Sequence, residues 1–284
     1  MSEKRAVLVA VDGSEDSARA VEWAVPEARR QQLPLVLVHA VPHLLREDVA
    51  PPVADQRARM DRVLREARQR AAQTPAVETE IRRLEPLGLD VGPAIVDSAA
   101  PGDTLVVGAR GHGKMAGVVL GSVSQYAVRH ATGTVVVVRP RADESATRTV
   151  VGFDQTPGAQ RALDWAMSRS ADQGEVTAMR AWHGTALYGT ANPLPLPEDA
   201  VRQQEKEQAM LDAELAPWRE KHPDVRLIGE AVPGHAGHLL AVASEHAALV
   251  VVGSRGRGPL ATTLLGSVGQ AVLHHARCPV AVVR

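Results

Sequence analysis

Three glycines and a serine recur at one spacing in two places in this 284-residue chain. Gly108-x2-Gly111-x9-Gly121-Ser122 returns as Gly253-x2-Gly256-x9-Gly266-Ser267, an offset of 145 residues (253 − 108). Glycine carries no Cβ, so a loop built on it turns its main-chain N–H groups toward an anion without steric interference. A helix beginning at Gly121-Ser122 adds free N–H groups, a hydroxyl and the positive end of the helix dipole. Each copy follows an apolar run, Leu105-Val106-Val107 or Leu249-Val250-Val251-Val252, which reads as a buried strand. Each also has an acid after the first strand of its repeat, Asp12 and Asp154. The chemistry these residues offer is a phosphate cradle beside a carboxylate that would accept hydrogen bonds from a base edge or a ribose.

Other anion-binding and catalytic readings fail on their own requirements. A Walker-type loop needs G-x4-G-K-[ST], which neither copy contains. Gly111-His-Gly113-Lys-Met-Ala116 and Gly256-Arg-Gly258-Pro-Leu-Ala261 match the letters of a dinucleotide fingerprint, but the next strands end in Arg139 and Arg284 where an acid is required. No catalytic residue is assigned. The loops offer Ser, Thr, Gly and His112, with no Asp–His or Glu–Lys pairing to supply a base. His235 with His238, and His274-His275, have no acid or cysteine spaced to complete a metal site. Lys114 and Arg257 lie in the loops at non-matching positions, so solvated roles are as natural as phosphate contacts. The simplest alternative for the glycines is a pair of tight strand–helix turns, and for Asp12 and Asp154 a loop or capping hydrogen bond.

The elements that position these residues follow from self-comparison. Arg19-Ala-Val-Glu-Trp23-Ala matches Arg161-Ala-Leu-Asp-Trp165-Ala, and Val135-Val-Val-Val-Arg139 matches Val280-Ala-Val-Val-Arg284. Strands are expected near 6–11, 34–41, 77–84, 104–108 and 134–138, with helices near 15–31, 53–73, 92–99 and 119–131. The second copy repeats this, with strands near 149–154, 175–182, 225–231, 248–253 and 279–283. Ser14 and Thr156 are N-cap candidates, and Pro157 suits a first helical turn. Alternating strands and helices imply a parallel, doubly wound α/β sheet in each of two domains, 1–140 and 148–284. Aromatics are only 2% of a chain that is 45% apolar, so the cores must be Val, Ala and Leu, with Trp23 and Trp165 as core or seam packing. A net charge of −1 argues against nucleic acid as the principal partner, and the Arg-rich stretch around 55–72 reads as a solvated helix face. No apolar run reaches the roughly 18 residues of a membrane span. One cysteine, Cys278, and an N-terminus that leads into a strand fit a soluble protein of the reducing cytoplasm.

On these motifs the chain resembles the universal stress protein family in its tandem form, over nearly its whole length. The resemblance implies the adenine-nucleotide alpha-hydrolase-like fold: two five-stranded sheets of order 3-2-1-4-5, paired through strand 5 as an intrachain pseudo-dimer, with a further homodimer possible. It implies ATP with Mg2+ as cofactors, and regulation of a stress response through conformation or partner choice. The alternative is an enzyme using ATP for slow hydrolysis or nucleotidyl transfer. Carried over by position, Asp12 and the main chain of Ala40 bracket adenine and ribose. Gly108, Gly111, Gly121, Ser122 and Val123 hold the phosphates, with Ser124 nearby. The second set is Asp154, Ala181, Gly253, Gly256, Gly266, Ser267 and Val268. Two departures set the copies apart: Gly13-Ser14 becomes Gln155-Thr156, and Ser124 becomes Gly269, so the second site is expected to bind differently or more weakly.

Overall fold

The computed structural model describes residues 5–41, 53–74, 77–86, 90–111, 120–170, 174–182, 198–254 and 265–284. Gly256, together with His112, Lys114 and Arg257, falls outside them. The chain divides at Pro140–Arg141 into two compact units.

The first unit runs β1 (Val7–Ala10), α1 (Glu15–Gln31), β2 (Leu35–Ala40), α2 (Val53–Ala71), β3 (Thr79–Leu84), α3 (Val91–Asp97), β4 (Thr104–Gly108), α4 (Ser122–His130) and β5 (Thr134–Val138). Its strand order is β3-β2-β1-β4-β5, and every pairing is parallel. Crossover helices cover both faces, with α1 packed on α2 and α3 on α4. Buried on both sides, the inner strands are near-continuous aliphatic runs. Val7, Val9, Leu35, Leu37, Val106, Val135 and Val136 are fully inaccessible. Each such side chain contributes roughly 1.5–3 kcal/mol relative to exposure.

The second unit repeats the plan: β6 (Thr149–Gly152), α5 (Pro157–Arg169), β7 (Glu175–Trp182), α6 (Glu198–Lys221), β8 (Arg226–Pro233), α7 (Ala236–Ala243), a 3-10 turn (Ser244–His246), β9 (Leu249–Gly253), α8 (Ser267–His275) and β10 (Val280–Val283). The order is β8-β7-β6-β9-β10, again parallel throughout. Both units are therefore doubly wound α/β sheets with the 3-2-1-4-5 order expected from the sequence.

Helix starts follow the local chemistry. Ser14 is extended at the N-cap of α1 and accepts from Ser17 N–H, while Thr156 accepts from Ala159 N–H ahead of Pro157 in α5. Helix α4 begins at Ser122 and not near 119, because Gly121 is extended (φ −71°, ψ 164°). Trp23 and Trp165 are half-buried, not core residues, and the Arg169 guanidinium lies 5.3 Å over the Trp165 ring. A period of 3.6 puts both at the margin of the apolar stripe, where a ring keeps one face wet. On α2 the arginines at 57, 59, 62, 65, 68 and 70 are exposed, as a solvated face requires, and Arg70 pairs with Glu22 at 3.1 Å. Cys278 is buried. No helix among the described residues is long and apolar enough to cross a membrane.

Candidate functional site

The loop after β1 is shaped by Asp12. Its Oδ1 accepts from Ser14 N–H at 2.9 Å, and its own N–H donates to Ser17 Oγ at 3.4 Å. Gly13 between them sits at φ 85°, in the left-handed region that glycine enters at no steric cost. The carboxylate is thus pinned at the carboxyl end of β1, next to the adjacent strand β4. There Gly111 leaves room for it: a methyl built on Gly111 would lie 2.6 Å from Asp12 Oδ2. The structure brings the acid of one loop against the glycine of the other.

Gly108 has a different role from Gly111. A methyl there would lie 2.7 Å from Asp16 C and 2.9 Å from Ser17 N, both main-chain atoms of α1. Gly253 meets Gly158 C at 2.6 Å in the same way. These first glycines let β4 close onto α1 and β9 onto α5, which sets the height of the cradle. The cradle's two ends are then tied together, since Gly121 N–H donates to Ala109 O at 2.7 Å and Ala109 N–H to Val138 O at 2.8 Å. In the second unit Gly266 N–H donates to Ser254 O at 3.0 Å and Ser254 N–H to Val283 O at 2.8 Å.

Beyond this tie, the start of α4 has no side-chain cap, and neither does that of α8. An N-terminal turn leaves its first N–H groups without intrahelical partners, here those of Ser122, Val123 and Ser124. Among the described residues the nearest atom to a methyl on Gly121 is 3.5 Å away, an ordinary contact, so their packing does not require glycine there. Ser122 is exposed, Val123 half-buried, and Val268 is 36% exposed, a large apolar side chain left beside the helix start.

Ser124 lies on the inner side of the helix start. It is buried, and its hydroxyl donates within the protein, 3.0 Å from Ala109 O and 3.2 Å from Gly121 O. It fastens α4 to the β4 loop. At the matching position a methyl on Gly269 would lie 2.9 Å from Leu265 Cδ1, so an aliphatic contact replaces that hydrogen bond.

Ala40 ends β2. Val11 N–H donates to Val38 O, so residue 38 faces β1, and two residues on Ala40 turns both its N–H and C=O to the same side. β1 has ended at Ala10, so that edge opens toward Asp12. Phe153 N–H to Met179 O gives Ala181 the same direction. Asp154 repeats the Asp12 turn, accepting from Thr156 N–H at 3.1 Å and from its hydroxyl at 2.6 Å. Gln155 takes φ 64°, a conformation costly for a residue with a Cβ.

One residue escaped the sequence reading. Asp16, in the first turn of α1, is 6% exposed and accepts from Arg110 N–H at 3.1 Å and from Arg110 Nε at 3.3 Å. An acid in a first turn looks like ordinary dipole compensation; only the arginine beside Gly111 hinted at a partner. Among the described residues no group of three or more His, Cys, Asp or Glu is arranged to hold a metal ion.

Comparison with known proteins identifies the family. The pattern of the Universal stress protein family matches residues 4–139 and 146–284. A universal stress protein of Mycolicibacterium smegmatis is 31% identical over 98% of this chain and 96% of its own. The crystal structure of a universal stress protein from Archaeoglobus fulgidus shares the fold, with a TM-score of 0.71 at 19% identity over 98% of this chain and 96% of that one. A universal stress protein solved in complex with cAMP is 31% identical over 49% of this chain and 98% of its own, with a TM-score of 0.36. With both halves matched and a relative similar from end to end, this chain belongs to the universal stress protein family as a tandem of two modules.

Proposed function

We propose that each module binds an adenine nucleotide, ATP with Mg2+, at the carboxyl end of its central strands, and that occupancy regulates a stress response. The observation that carries this reading is the junction of Asp12, Gly111 and the uncapped start of α4. A carboxylate acceptor and N–H donors that an N-terminal turn leaves without intrahelical partners lie at the carboxyl ends of the strands, where the strand order reverses. Asp12 and the main chain of Ala40 would take the base and ribose. Gly111, Gly121, Ser122 and Val123 would take the phosphates, with Gly108 fixing the loop's height and Ser124 its attachment. Mg2+ would arrive on the phosphates, keeping most of its waters. In the second module Asp154, Ala181, Gly253, Gly256, Gly266, Ser267 and Val268 serve alike.

The role is regulatory, with turnover absent or far below the roughly 1–1000 per second of ordinary enzymes. The hydroxyl of Ser124 is committed to carbonyls, and that of Thr156 to Asp154. Each module's strand order ends in a valine strand, β5 or β10, and we propose that these two pair within the chain. The short polar linker at 140–147 favours this over pairing between chains. The protein would act in the cytoplasm, where the buried Cys278 thiol stays reduced.

Protein purified without added ligand should release adenine nucleotide on denaturation, identified by mass spectrometry. Titration of ATP and Mg2+ into wild type, Gly121→Val and Gly266→Val should show one site lost in each variant. An unchanged stoichiometry in both would remove the loops from the site.

A further inference from the structure

Asp16 ties up a cation beside the phosphate cradle of the first module. Its side chain is 7% exposed and accepts from Arg110 main chain, Arg110 Nε and Arg19 Nη1, the last at 3.1 Å. Arg110 immediately precedes Gly111, which lies against Asp12, so the pair sits at the entrance of the loop. The second module keeps the loop arginine in sequence, as Arg255, but has Gly158 where the 142-residue offset places Asp16. The first turn of α1 carries Glu15 and Asp16, whereas that of α5 carries no acid.

We infer that Asp16 sets the phosphate-charge preference of the first module, lowering its preference for ATP over adenine nucleotides of lower charge relative to a module without this acid. The inference rests on the nucleotide reading above. Two effects act in the same direction. Asp16 occupies guanidinium donors that would otherwise pair with phosphate oxygens. Its carboxylate also lies nearly buried against Arg110 at the start of the loop, where each added phosphate charge meets repulsion in a poorly screened place. Gly158 cannot do either.

The test uses the full chain with the second cradle disabled by Gly266→Val, titrated calorimetrically with AMP and with Mg2+-free ATP at low salt. Asp16→Asn keeps an oxygen for the Arg110 N–H and removes the charge. It should raise the ATP-to-AMP affinity ratio about three- to tenfold, an effect that shrinks toward 1 M salt. A purely structural role would weaken both ligands together and leave the ratio alone. In the reciprocal chain, with Gly121→Val, Gly158→Asp should lower the ratio. The site tolerates the change, because Gly108 already packs on an aspartate backbone at the equivalent place. Binding of both ligands with ratios fixed in both variants would overturn the inference and leave the nucleotide reading standing. Absence of binding by either ligand to any variant would overturn both.

Discussion

Replacing Gly108 and Gly121 by alanine should damage different properties, although both belong to one motif. At Gly108 the added methyl falls 2.7 Å from Asp16 C, 2.9 Å from Asp16 O and 2.9 Å from Ser17 N. Carbon contacts are optimal at about 3.5–4.0 Å, so the overlap is close to 1 Å. The atoms struck are main chain in the capped first turn of α1, held by Ser14 and by the Asp12 turn. They cannot rotate away; α1 must lift off β4. Overpacking of this kind costs about 1–3 kcal/mol or more. For a unit of this size each kcal/mol lowers Tm by roughly 3–5 °C, giving a drop of about 3–15 °C. At Gly121 the nearest atom is 3.5 Å away and the backbone is extended, so alanine should cost under about 1 kcal/mol. Its methyl instead occupies the approach to the α4 N–H groups, and nucleotide affinity should fall. Calorimetric melting, with the second unit as internal reference, and nucleotide titration separate the two outcomes. A Gly108→Ala protein as stable as wild type, or a Gly121→Ala protein equally destabilised, would refute the assignment of packing to the first glycine and ligand to the third.

Three further outcomes are expected. Gln155→Gly should stabilise the second unit by about 0.5–1 kcal/mol, since relief of the positive φ outweighs the extra freedom of glycine when unfolded; chemical denaturation measures this. If β5 and β10 pair as proposed, proline at Val137 and at Val282 should abolish that pairing, seen as a loss of compactness in small-angle scattering. Val138 O and Val283 O bond inward to Ala109 and Ser254, so residues one position earlier turn their N–H groups to the open edge. In the second unit Gln208 and Arg219 hold the Asp212 carboxyl below its ordinary value of 3.8. A depressed carboxylate stabilises above the unfolded value and loses that contribution as pH falls through the folded one. Asp212→Asn should therefore flatten the acid limb of the stability profile below about pH 4, by a modest amount because the group is 44% exposed.

Element order, the two caps and the strand-end positions of Asp12 and Asp154 were legible because each rests on local chemistry. Ser14 and Thr156 cap whatever helix follows them, and a valine run reads as buried strand wherever it stands. What sequence could not separate were residues of one type with different surroundings. Gly108, Gly111 and Gly121 look alike on paper, yet one abuts a helix backbone, one a carboxylate, and one nothing closer than an ordinary contact. Ser124 was read for a hydroxyl near phosphate, but its side chain lies on the inner side of α4, where only carbonyls can receive it. Asp16 became visible only through a partner 94 residues away. The twofold occurrence of Trp23 and Trp165 points to core or seam packing, and repetition marks a common position, not its depth.

The differences between the modules fall on a definite subset of these parts. Contacts made by main chain are common to both: Gly108 and Gly253 closing on a helix, Gly121 and Gly266 tied to the carbonyl of Ala109 or Ser254, and Ala40 and Ala181 facing the central strand. Those contacts fix the shape of an anion cradle whatever side chains surround it. The substitutions that distinguish the copies are Gly13 to Gln155, Asp16 to Gly158 and Ser124 to Gly269. The first strains a turn, the second removes a charge, and the third trades a hydrogen bond for the packing of Leu265. None breaks the cradle's main-chain frame. Loss of an ancestral site would be expected to strike the glycines or the acid after the first strand, and both are kept in each copy. The pattern fits two sites that retain the means to hold an anion and differ in which anion, and how tightly, they hold it.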